Sequence, residues 1–496
     1  MKKTPFRIIL LSLCIVMLMS IAACSGSNGA DTPANPPADS PVNPPADSPA
    51  NQPADSPANQ PADPPADPPA DPPADKIELV FACWGGEEER VSAQTTWDIY
   101  NALQDEVNVT VLSIANEEYG DVLRTMATGG NMPDMGMVNE RTAISWAREG
   151  LLLPIDITVG QEEKALNYLV FKDGSNPVAT SACNETIVLW YNKAMFEAAG
   201  LEPPPTTVAD AWSWDEFVEV AKLLTLDSSG RNATQAGFDD NNIVQYGALV
   251  NPWAWQIEAF ALSNGGKFYS DDGQSAVFDD AAIEAIQMIA DLALVEKVAP
   301  IVDSTIDAGW GQSIGAGNVA MCTDGTWAAG NQADPNYNDG TVLGTDREFG
   351  IGILPHMGRK VTIATAGPVG VFAGTQHSAQ AAAALTWYIN PENSWFLIDF
   401  GWWQPAYESW YTEDAKLARW IDDNAARGHD AQAWRDIAGT MVDYSYVQST
   451  GWYYTPNTDI IDNILVPALV PVFQGARTAA EAIEEIRPAL EAAVTG

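Results

Sequence analysis

Residues 76–139 read KIELVFACWGGEEERVSAQTTWDIYNALQDEVNVTVLSIANEEYGDVLRTMATGGNMPDMGMVN. KIELVFACW (76–84) is an apolar run closed by two glycines, the pattern of a buried strand. Residues 91–105 carry apolar side chains at helical spacing. VNVTVLSI (107–114) is a second strand, EYGDVLRTMATGG (118–130) a helix stopped by glycines, and MPDMGMVN (132–139) a third strand. Strand and helix alternate, which predicts an α/β body built on a mostly parallel sheet. The same alternation continues downstream. WSWDEFVEVAKLLT (212–225) places Trp214, Phe217, Val218, Ala221 and Leu224 on one helical face, and residues 279–297 and 378–389 repeat that pattern. The last helical stretch, EAIEEIRPALEAAV (481–494), carries Pro488, which predicts a kink. This body runs from about residue 76 to the end. At about 420 residues it is large for one core, so two lobes are expected.

Upstream of the body the composition changes. Residues 25–75 hold 16 of the 34 prolines and eight aspartates, with no basic residue, in units such as PADSPANQ and PADPPADPP. With nothing apolar to pack, such a segment reads as an extended tether. At about 3 Å per residue in polyproline II it reaches on the order of 100–150 Å.

Residues 1–24 read MKKTPFRIILLSLCIVMLMSIAAC. Lys2, Lys3 and Arg7 precede an apolar run from Ile8 to about Ile21, which breaks at small residues and Cys24. The run is short for a membrane span. It resembles bacterial lipoprotein signals, in which the cysteine receives a diacylglyceryl group and becomes the new N-terminus. An ordinary signal peptide cut near Ala23 is the alternative. The resemblance implies an exported protein at the outer face of the cytoplasmic membrane, held by lipid alone.

Charge narrows the partners. The signal segment carries away three cations, so the net charge of −42 becomes −45 in the mature chain. Nucleic acid is excluded as a partner, because this field repels it. Cys83, Cys183 and Cys322 remain after the signal and Cys24 are set aside; they allow one bridge at most, and buried free thiols are the simpler reading. His356, His377 and His429 lie far apart, and no cysteine sits in a CxxC or Cys/His cluster, so neither metal nor cofactor is expected. Asp271-Asp272-Gly273 lacks the alternating acidic spacing of a calcium loop and reads as a hairpin turn.

Six segments, in order, resemble one family: GGNMPDMGMVNERTAISWAREGLLLPID (129–156), NETIVLWYNKAMFEAAGLEPPPT (184–206), GGKFYSDDGQSAVFDDAAIEAIQMIADL (265–292), GAGNVAMCTDGTWAA (315–329), GILPHMGRKVTIATAGPVGVFAGTQHSAQAAAALTWYI (352–389) and DIIDNILVPALVPVFQGARTAAEAIEEI (459–486). Together they look like the extracellular family 1 solute-binding proteins of ATP-driven importers, the maltose-binding type. The resemblance implies a two-lobed periplasmic-binding-protein-like fold (type II), with mostly parallel sheets, flanking helices and a hinged cleft. Lobe one would hold 76–187 and 365–403, and lobe two 188–364 and 404–496. The implied activity is capture of a carbohydrate, an oligosaccharide above all, and delivery to the permease subunits of an importer by a monomer that makes no bonds. Peptides, polyols and organic acids stay open as ligands. A cell-surface polysaccharide-processing enzyme and a sensor module of the same fold are the alternatives.

Sugars offer hydroxyls for hydrogen bonds and flat faces for stacking, so a sugar site needs aromatic platforms beside carboxylates and amides. By position after the strands, the first-lobe candidates are Trp84 and Glu87, then Asn116 and Glu117. The family match adds Asn139, Glu140 and Arg141, and Glu185 before the crossover strand. In the second lobe it points to Trp255 with Trp253 beside it, and to Trp327 with Asp324 nearby; Trp402 or Trp403 stands at the rim, and Trp310 completes the set.

Overall fold

The computed structural model describes residues 76–495, apart from 86, 116–117, 141, 159–169, 302–316, 330–348, 366, 402, 425–426, 428–429, 444 and 449–457. The opening alternation forms as the sequence predicts: β1 (Ile77–Trp84), α1 (Glu87–Leu103), β2 (Val107–Ile114), α2 (Tyr119–Thr128) and β3 (Met135–Met137). Strand β1 lies between β2 and β3, parallel to both. Three further strands complete the first sheet: β4 (Val170–Asp173), β5 (Asn176–Ser181) and β12 (Pro368–Val371), in the order β2-β1-β3-β12-β5-β4.

The second sheet is centred on β6 (Glu185–Asn192). It pairs antiparallel with β9 (Val319–Gly325), β11 (Thr362–Thr365) and β10 (Phe349–Gly352). Beyond β9 come β8 (Ile243–Leu249), parallel to it, and β7 (Leu226–Asp227); β13 (Val447–Gln448) flanks β11. Both sheets are mixed rather than mostly parallel. The parallel pairs β1–β2, β1–β3 and β8–β9 belong to strand–helix–strand units. Antiparallel pairs arise between sequence neighbours, as in β4–β5 and β7–β8, and where the chain crosses between sheets, as in β3–β12 and β6–β11.

Helix α5 (Trp214–Leu224) shows how local chemistry and packing agree. The Ser213 hydroxyl accepts from the Glu216 N–H, and the Glu216 carboxylate accepts from the Ser213 N–H at 2.8 Å, a reciprocal cap. All five apolar residues predicted for its inner face are buried. It lies so close to β8 that a Cβ at Gly247 would stand 1.9 Å from the Ala221 carbonyl oxygen. With α6 (Ala254–Ser263), α7 (Asp280–Leu294) and the two C-terminal helices, α5 covers one face of the second sheet (Ile187, Leu189, Tyr191). A second cluster spans the first sheet and the other face of the second (Val188, Trp190). The Trp-rich stretch after residue 395 belongs to this cluster: Trp410, Trp420 and Trp434 are fully buried, and Trp434 packs edge-on against Trp190. The final helix, Ala479–Thr495, runs through Pro488. Cys83, Cys183 and Cys322 are buried thiols rather than disulfide halves, and Ser270–Ser275 closes a tight turn with Gly273 at φ 66°.

Candidate ligand-binding cleft

Strand direction brings the candidate residues to one edge. Strands β8 and β9 are parallel and lead into Asn251–Trp255 and Trp327. Strand β6 opposes β9, with Ile187 facing Gly325, so the start of β6 at Glu185 comes to the same edge. Strand β11 opposes β6 and ends with Thr365 across from Glu185. Three residues later Pro368 enters the first sheet, where its carbonyl accepts from the Val138 N–H at 2.7 Å. Glu185 and the Asn139–Glu140 turn therefore flank one crossover. Trp84 joins them: a Cβ on Gly367 would lie 3.6 Å from the Trp84 ring and 4.0 Å from the Cys183 sulfur. The Trp84 ring stands edge-on to Tyr119 at 5.6 Å.

Three indoles form a continuous run on the second sheet's side. Trp253 and Trp255 lie 5.2 Å apart, and Trp255 and Trp327 5.6 Å apart. All three are half-buried. Trp327 packs against both hydrophobic clusters, and its ring lies against Gly325, where a Cβ would stand 1.9 Å from it. Behind the run, the Thr323 hydroxyl donates to Gln256 Oε1 at 2.6 Å, and Asn251 Nδ2 donates to the Thr323 carbonyl at 2.9 Å. Asn251 Oδ1 and Gln256 Nε2 are buried there without a hydrogen-bond partner. Neither residue was singled out from the sequence. Only the pairing of Asn251 with β9 reveals their position, because no motif marks a lone amide.

The carboxylates differ sharply. Glu185 is buried. Burial first, and Glu140 second, push its carboxyl well above the usual range, while the Cys183 thiol and Arg427 pull it back. Burial likewise pushes the Cys183 thiol well up. Because Glu185 is raised only in the folded state, folding is favoured while the carboxyl keeps its proton, and that contribution fades as pH climbs through the folded value. The melting temperature of the wild type is therefore expected to fall relative to Glu185→Gln as pH rises from the ordinary carboxylate value of 4.5 into the neutral range. Parallel melting curves for the two proteins from pH 5 to 8 would contradict this. Glu87, by contrast, is exposed at the start of α1 and takes two 2.7 Å bonds from Arg90, which hold its carboxyl below the usual range.

Two candidates lie away from the indole run. Asp324 pairs with Val188 on the face of β9 opposite Thr323 and Gly325; it is buried, and its Oδ1 accepts from the Gly325 N–H at 2.7 Å. Trp403 is buried edge-on against Tyr388 at 5.7 Å, and the Tyr388 ring in turn stacks on Trp97. Its place is in the core rather than at the rim. Glu117, Arg141, Trp310 and Trp402 lie outside the described residues, as does Asn116. Among the described residues no group of His, Cys, Asp and Glu could hold a metal ion. The arrangement presents aromatic faces, amides and a buried carboxyl, a set suited to holding a polar, partly flat solute.

Two sheets joined by crossing segments, with aromatic and polar side chains where the crossings meet, define a two-lobed binding protein. A model of the bacterial extracellular solute-binding proteins matches residues 88–395, and the chain belongs to that family. Its members are binding proteins and not enzymes. Solved structures share the fold. An ABC transporter solute-binding protein of Thermotoga lettingae bound with α-D-tagatose is 18% identical, with a TM-score of 0.66 over 85% of this chain and 100% of that one. The substrate-binding protein Lmo0181 of Listeria monocytogenes in complex with cycloalternan is 18% identical, with a TM-score of 0.65 over 84% and 98%. The maltose/maltodextrin-binding domain MalE of Bdellovibrio bacteriovorus bound to maltotriose is 16% identical, with a TM-score of 0.63 over 84% and 99%. Among curated proteins, a binding protein of Brucella abortus (strain 2308) is 25% identical over 176 residues, 34% of this chain. The chain spans 38% of that relative's length.

Proposed function

We propose that this protein captures a carbohydrate, above all an oligosaccharide, between its lobes and hands it to the permease subunits of an ABC-type importer. The observation that carries this reading is the run Trp253–Trp255–Trp327. Ring centroids 5.2 and 5.6 Å apart offer successive faces for stacking on sugar rings. The sugar-bound structures that share the fold support the same ligand class. Glu140, Glu185, Asn139, Trp84 and Glu87 would supply polar and aromatic contacts around the stacked rings. Ligand would draw an open–closed equilibrium toward the closed form, in which 76–187 with 365–403 approaches 188–364 with 404–496. We also propose that Cys24 carries a lipid anchor and that residues 25–75 space a monomeric binding body from the membrane. Among the described residues no helix is long and apolar enough to cross a membrane.

The test is a thermal-shift screen of the purified protein against mono- and oligosaccharides. A ligand present at a hundred times its dissociation constant is expected to add about 2.7 kcal/mol of stability. A rise with one sugar, without consumption of that sugar, would establish capture and name the cargo. No rise with any saccharide would remove carbohydrate in favour of peptides, polyols or organic acids. Consumption of the sugar would favour an enzyme.

A further inference from the structure

Gln404 and Arg427 lie outside every motif the cleft uses, yet both are fully buried beside it. The segment around Gln404 runs along the crossover: Pro405 bridges to Cys183, and the Gln404 carbonyl accepts from the Asn184 N–H at 3.0 Å. With the Gln404 amide oriented by its hydrogen-bond network, its nitrogen donates to the Asn184 carbonyl at 3.0 Å and to the Thr326 hydroxyl at 2.7 Å. Its oxygen accepts from Arg427 Nη2 at 3.1 Å. Thr326 is in turn bound to β6: its N–H donates to the Thr186 carbonyl at 3.0 Å, and its hydroxyl accepts from the Thr186 N–H at 3.3 Å. Asn184 and Thr326 are the immediate neighbours of Glu185 and Trp327.

Arg427 holds this amide from the side away from the indoles. Its guanidinium lies 5.3 Å from the faces of Trp420 and Trp434, and Trp434 packs on Trp190. That is the face of β6 that carries Thr186, opposite the one that carries Glu185. Four carbonyls, those of Ile398, Gly401, Trp403 and Trp420, accept from the guanidinium at 2.9–3.3 Å and keep it immobile.

We propose that Gln404, held by Arg427, is a positioning residue for the cleft: it fixes from behind the strand start that carries Glu185 and the turn that carries Trp327. This rests on the reading of that edge as the ligand site. The affinity of the cleft would then depend on a residue in the Trp-rich stretch that no ligand can reach.

The experiment compares wild type, Gln404→Ala and Gln404→Glu in the full chain, by hydrogen exchange and by titration with maltotriose. Gln404→Glu keeps an oxygen for Arg427 but cannot donate to Asn184. In the ligand-free protein, the Thr186 and Thr326 amides are expected to exchange at least tenfold faster in Gln404→Ala, with β1 and β2 unchanged. Gln404→Glu is expected to fall between it and wild type. Maltotriose affinity should drop about tenfold in Gln404→Ala. Unchanged exchange at those two amides would overturn the proposal. So would a uniform rise across both sheets, which marks loss of stability alone. Selective loosening with unaltered maltotriose affinity would also overturn it. If maltotriose fails to bind wild type, maltotriose is removed as the cargo, and the exchange comparison still decides the role of Gln404.

Discussion

Trp327→Ala is expected to weaken saccharide binding by roughly thirtyfold or more, the loss of about 2 kcal/mol that marks a binding hot spot. Three observations concentrate the effect at this ring. It is half-buried and so keeps one face for a ligand. It touches both hydrophobic clusters and Trp255, so its orientation is set before ligand arrives. It rests on Gly325, whose missing side chain makes room for it. An aromatic ring held in this way contributes stacking area with little ordering cost on binding. Gly325→Ala provides an independent arm, because the new methyl would overlap the ring and force it out of place. Both variants are expected to lose affinity by calorimetry against the saccharide that raises the wild-type melting temperature. Trp327→Ala binding within threefold of wild type would remove this ring from the ligand site.

The second large effect is on stability. Arg427→Met is expected to destabilise the protein by about 3–5 kcal/mol, because it removes the donor of several buried carbonyls. Burial pulls the pKa of the Arg427 guanidinium down to about 9. Asp399 and Glu185 act on it through space, but its direct acceptors are the four carbonyls and the Gln404 oxygen. Methionine fills similar volume and removes the guanidinium donor from the Gly401, Trp403 and Trp420 carbonyls, each at a cost of about 1–3 kcal/mol, while the Ile398 carbonyl keeps the Gly401 N–H. The midpoint of urea unfolding reads this directly. A midpoint within error of wild type would mean that an apolar side chain replaces this buried cation without loss, as happens in some buried ionic clusters.

Much of the architecture was legible before any coordinates. Alternation of apolar strands and amphipathic stretches between residues 76 and 139 is local information, carried by side-chain periodicity, and the strands and helices form where that periodicity places them. The same holds for α5, whose Ser213–Glu216 cap and buried stripe are both set by spacing along the chain. Sheet direction was not legible. For β6, β11 and β12, whether the pairing is parallel or antiparallel depends on where the chain crosses between sheets, and that is a long-range property.

The candidate site divides along the same line. The family match placed Trp255, Trp327 and Glu185 among the candidates, each beside a readable strand. Residue type ranked Trp403 with them, although it is a core residue packed on Tyr388. An indole looks the same in a sequence whether its face meets solvent or another ring. By itself, then, the sequence determined the order and type of the elements and the supply of aromatic and carboxylate groups. The tertiary structure alone decided which of those groups meet at one edge, that Glu185 loses its water there, and that Gln404 and Arg427 stand behind it. Desolvation and hydrogen-bond closure are produced by segments more than two hundred residues apart, and no local pattern encodes them.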